Sequence, residues 1–94
     1  MKAVEKKQPT ILEEAQSAVY GSRQEDYGDV SENFERIAKG WEMILGIKPT
    51  PEQVGLCMIQ VKVARQCHKP KRDNLVDISG YAATIDKMGK ENKK

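Results

Sequence analysis

The chain is poor in aromatic residues. They make up 5% of it, with one Trp and one Phe, so its core has to be built from aliphatic side chains. Histidine is nearly absent: His68 stands alone, and Ser17, Ser22, Ser31 and Ser79 have no histidine near them in sequence. Nucleophilic catalysis by a Ser–His pair therefore has no support. There are two cysteines, Cys57 and Cys67. At 1.5 Å rise per residue on one helix they stand about 15 Å apart, beyond disulfide reach. They are expected to be buried thiols of a cytoplasmic protein. No Cys or His pair has the spacing of a metal site. No stretch approaches the roughly 20 apolar residues of a membrane span, and the N-terminus has no apolar segment of the signal-peptide kind, so no membrane partner is expected. Charge of one sign is lacking too. The net charge is +2, and lysines concentrate in 1–7 and 87–94. A dedicated nucleic-acid binder would carry a strong basic face. No Gly-rich phosphate loop is present.

What is present is helical period with strong start signals. Thr10-Ile-Leu-Glu13, Asp29-Val-Ser-Glu32 and Thr50-Pro-Glu-Gln53 each have the form of a capping box. They open helices expected near 10–20, 30–45 and 51–67. Asp73 is expected to cap a fourth, near 74–88, with Gly89 as its stop. Phe34, Ile37, Ala38, Trp41, Ile44 and Leu45 form one stripe. The third helix is apolar nearly all round, which predicts that it is the central, most buried one. With no strand pattern, the fold class is all-α: a compact four-helix domain. Residues 1–9 read as a flexible tail, 10–89 as a single helical domain and 90–94 as a lysine-rich flexible tail. At 94 residues such a domain is marginal alone, and a homodimer formed through helices is expected.

The stretch Arg23-Gln-Glu-Asp-Tyr-Gly-Asp-Val-Ser-Glu-Asn-Phe34 carries more chemistry than a turn requires. Arg23, Asp26, Tyr27 and Asn33 are candidate ligand-binding residues on a loop braced by helices. They also fit a structural loop whose side chains cap the next helix. On the third helix, Lys62 and Arg65 share a face. On the fourth, Asp73, Asp77, Gly80 or Tyr81, and Thr84 line up at three-to-four spacing. Antiparallel packing would bring Lys62 and Arg65 to Asp77 and Tyr81. The outcome is either a structural ion pair, Arg65 with Asp77, or a half-buried site for a phosphorylated small molecule. Glu32-x-x-Glu35 offers two carboxylates on one helix face, and oxygen-only ligands suit Mg²⁺. Capping and first-turn electrostatics already account for Glu32 without a metal.

The order Tyr20-Gly-x-Arg, Asp26-Tyr-Gly, Glu32-Asn-Phe, Trp41, Thr50-Pro-Glu-x-Val, Lys62-x-Ala-Arg65 and Asp77-Ile-x-Gly-Tyr-Ala resembles a small domain-of-unknown-function family encoded by phages and prophages. More distantly it is similar to nucleotide-modification-associated phage domains and to the all-α MazG-type pyrophosphohydrolases. The latter bind Mg²⁺ through a Glu-x-x-Glu on one helix and a Glu-x-x-Asp on the next. Glu32-x-x-Glu35 matches the first, whereas the fourth helix offers Asp73-x-x-x-Asp77 in place of the second.

The resemblance implies a phage origin, hence the cytoplasm of an infected or lysogenic bacterium, and a nucleotide-sized site. The expected function is binding of a nucleotide or nucleotide-like phosphate ligand. Lys62, Arg65 and Arg23 would hold phosphate, Tyr27 or Tyr81 would stack on a base, and Asp73 and Asp77 would contact sugar or metal. Binding of a host protein, and sequestration of a nucleotide signal without turnover, are the alternatives.

Overall fold

The computed structural model describes residues 8–21 and 30–91. Among them the chain is all-α: α1 spans Ile11–Tyr20, α2 Val30–Leu45, α3 Pro51–His68 and α4 Arg72–Glu91. Two of the expected capping boxes are fully formed. The Thr10 hydroxyl accepts from the Glu13 N–H while the Glu13 carboxylate accepts from the Thr10 N–H. Thr50 and Gln53 do the same at the start of α3, with Pro51 at the first helical position, where its missing N–H costs nothing. The third box begins at Asp29, which lies outside the described residues. Gly46 ends α2 with φ +84°, a conformation that favours glycine.

α4 departs from expectation at both ends. It begins at Arg72, because the Asn74 N–H already donates to the Lys71 carbonyl at 3.1 Å. Asp73 therefore sits inside the first turn, where its charge complements the helix N-terminus. Gly89 does not stop the helix, which runs to Glu91.

α4 is the central element. It packs against α3, α1 and α2, whereas α1 packs on α4 alone among the described helices. α3 and α4 are antiparallel, as their pairs show: Gln66 with Asn74, Lys62 with Asp77, and Gly55 against Ile85. A Cβ at Gly55 would lie 2.7 Å from Ile85 Cγ1, so the missing side chain lets these helices approach closely. The core is Phe34, Ala38, Val54 and Met88, with Ile37, Trp41, Met58, Tyr81 and Ile85 partly buried around it.

The expected burial of the third helix is overturned. Val54 and Gly55 are buried, but Leu56 is 51% exposed and Val61 41%. Cys57 and Cys67 are also exposed. The sequence pattern shows that a helix is apolar all round; it does not supply neighbours to cover it. α4 covers one side and α2 a second, and the remainder faces outward. No helix of the described residues is long and apolar enough to cross a membrane.

Candidate functional site

α1 and α2 both pack on α4 without packing on each other. Between them lies a cleft of about 400 Å³, within the range that small-molecule sites occupy. α1 lends Ala18 and Val19, and α2 lends Val30, Asn33, Phe34 and Ile37. The floor comes from α4 with Val76, Asp77, Gly80, Tyr81 and Thr84, and from α3 with Met58 and Lys62. The walls are thus mostly apolar, with a few polar groups converging on them.

Four of the expected binding residues meet here: Asn33, Lys62, Asp77 and Tyr81. Lys62 Nζ lies 2.9 Å from Asp77 Oδ2, and their side chains are 15% and 29% exposed. This corrects the expected pairing. Asp77 takes Lys62 rather than Arg65, because Lys62 lies on the side of α3 turned to α4, whereas Arg65 is exposed. A guanidinium on an apolar helix need not be buried when that face of the helix is open to water. Tyr81 sits with its ring centroid 6.5 Å from that of Phe34, tilted by 50°, within the range of edge-to-face aromatic contact. Gly80 lies under the α1 wall, where a Cβ would meet Val19 Cγ2 at 3.8 Å. It keeps open a part of the cleft that a side chain would occupy.

The other expected residues lie elsewhere. Asp73 and Arg65 are exposed and do not line the cleft. Arg23, Asp26 and Tyr27 fall outside the described residues. Glu32 is exposed, and Glu35 is bound by the Lys48 ammonium. That hydrogen bond holds the Glu35 carboxyl below its ordinary range, against a smaller opposing effect of desolvation and with help from the Lys48 and Lys39 charges. Among the described residues no group of three or more His, Cys, Asp or Glu is placed to share a metal ion.

Several residues that shape the cleft were legible only as core. Met58, Ile37 and Val19 have the helical spacing of buried positions, and nothing in that spacing tells a cleft wall from a packed interior. The strap on α1 was also illegible: the Arg72 guanidinium binds the Glu14 carboxylate and donates to the Pro9 carbonyl at 2.6 Å. At the same end of α4, Gln66 Oε1 accepts from both the Asn74 amide and the Lys71 N–H, each at 3.0 Å.

Comparison with known proteins adds origin. The chain is 43% identical over 81 residues to the Gene 55 protein of Mycobacterium phage L5, covering 84% of this chain and 52% of that protein. It is 35% identical over 83 residues to the Gene 55 protein of Mycobacterium phage D29, covering 87% of this chain and 55% of that one. The chain therefore spans about half the length of either relative. No solved structure matches it. The expected phage character agrees with these relatives, and the match over residues 10–89 shows that the chain belongs to the family described as Domain of unknown function (DUF6378).

Proposed function

We propose that this phage domain is a small-molecule binding module whose cleft takes the ring system of a nucleotide-like ligand. The observation that supports this is the pairing of mostly apolar walls with a cluster of polar groups, Asn33, Lys62, Asp77 and Tyr81, at one cavity of ligand size. Such a combination is the usual form of a small-molecule site. Phe34, Ile37 and Met58 offer apolar surface to a flat ring, and the polar groups offer edges to read. Arg65 lies outside, and Lys62 is already neutralised by Asp77, so the ring and not the phosphate is the part the cleft selects. A thermal-shift series with the common nucleosides and their phosphates, with and without Mg²⁺, tests this. A ligand at 100 times its Kd adds about 2.7 kcal/mol of stability. Gly80→Leu, which fills the cleft, should abolish the shift while leaving the helical content intact. No shift with any nucleoside or nucleotide would refute the proposal.

A second property is self-association. Met43, Ile44, Leu45 and Ile47 at the end of α2, with Leu56, Val61 and Val63 on α3, are each more than a third exposed, Met43 by 88%. We infer that a second copy covers them, in keeping with the isologous contacts of most small homo-oligomers.

A further inference from the structure

We propose that the base held in the cleft is guanine, read along its Watson–Crick edge by Lys62 and Asp77; this rests on the reading of the cleft as a nucleobase site. Lys62 Nζ and Asp77 Oδ2 lie side by side at 2.9 Å, and both line the cleft. An ammonium only donates, and an ionised carboxylate only accepts, through two oxygens. A ligand edge lying along the pair would meet a donor followed by two acceptors.

The complement of that row is acceptor, donor, donor. Guanine offers it as O6, N1–H and the N2 amino group. Its N1–C2–N2 edge carries two parallel N–H bonds, the same arrangement that lets a guanidinium bind a carboxylate in bidentate fashion. Adenine, turned so that N1 faces Lys62 and its amino group faces one carboxylate oxygen, satisfies two of the three positions and offers the second oxygen no ring N–H. Cytosine likewise satisfies two positions, with N3 on Lys62 and its amino group on one carboxylate oxygen, and has no second N–H donor on that edge for the other. Uracil matches Lys62 and one carboxylate oxygen but leaves its second carbonyl against the other. Asn33, from the α2 wall, supplies both a donor and an acceptor for the rest of the ligand. The pair is itself mostly shielded from solvent, which strengthens contacts made to it.

Calorimetric titration of the wild-type protein with guanosine, inosine, adenosine, cytidine and uridine tests the assignment without any variant. Guanosine should bind most tightly. Inosine, which lacks only the N2 amino group, should be about tenfold weaker, and adenosine and cytidine about 10- to 100-fold weaker. Asp77→Asn replaces one acceptor with a donor and should reverse the preference, so that xanthosine, with a carbonyl at C2, binds more tightly than guanosine. Comparable affinities for all five nucleosides would overturn the guanine assignment and leave the nucleobase reading in place. Tighter binding of adenosine or cytidine than guanosine would do the same. Absence of binding by every nucleoside would overturn both.

Discussion

Lys62 and Asp77 are the residues whose alteration should be felt most. The pair is mostly shielded from solvent, so removing one member leaves the other charge poorly compensated. Lys62→Met or Asp77→Ala alone should cost about 1–3 kcal/mol, the range for a stranded buried polar group. The double change Lys62→Met, Asp77→Leu should lie near wild type in stability, because apolar residues of similar size replace a shielded ion pair well. Urea denaturation of the three variants measures this, and additive losses in the double variant would refute it. Arg65→Ala, by contrast, should shift stability by no more than about 0.5 kcal/mol, as ordinary surface changes do. Helix spacing made both cations visible in the sequence and placed them on neighbouring positions of one face. It did not tell which of the two turns toward α4, since that depends on where α3 presents its buried side. A three-residue step leaves a side chain about 60° short of a full turn, and here that offset separates a cleft residue from a solvent-exposed one.

At the level of the helix, two glycines should respond in opposite ways to the same substitution. Gly80→Ala removes the backbone entropy cost of a helical glycine and meets only ordinary contact with Val19. It should stabilise the domain by about 0.5–1 kcal/mol while narrowing the cleft, so that stability rises and nucleoside affinity falls. Gly55→Ala would place its Cβ within 2.7 Å of Ile85 Cγ1. The resulting displacement should outweigh the helix-propensity gain, for a net loss of about 1–3 kcal/mol. Thermal melts of the two variants, read beside a titration of Gly80→Ala, check both. The existence and type of all four helices were legible, because capping signals and apolar period act locally. Their mutual arrangement was not. Gly55 looks like a flaw in an apolar run, yet it is a point of close approach between α3 and α4. The central place went to α4, whose mixed face suits contact with three neighbours, and not to the most apolar helix.

For the whole molecule, the exposed aliphatic side chains at the end of α2 predict a dimer. Light scattering at micromolar concentration should give twice 10.6 kDa. Met43→Glu with Ile44→Lys should return the monomer without loss of helical content, because neither residue is buried within the chain. A monomeric wild type would refute the self-association and leave those side chains for a host protein. The one-sided seating of α1 has a different kind of consequence. Because α1, among the described helices, rests on α4 alone, tied by Arg72 to Glu14 and Pro9, it can detach while α2, α3 and α4 stay assembled. Amide hydrogens of α1 should then exchange through a sub-global opening at lower free energy than those of α3 and α4. Undocking α1 removes one wall of the cleft, so only the docked fraction is competent to bind, and apparent affinity scales with that fraction. Arg72→Ala, which touches no ligand, should therefore weaken binding in proportion to the added exchange of α1. A bound ligand should in turn slow that exchange, so that α1 reports occupancy as a change in protection before any change in shape.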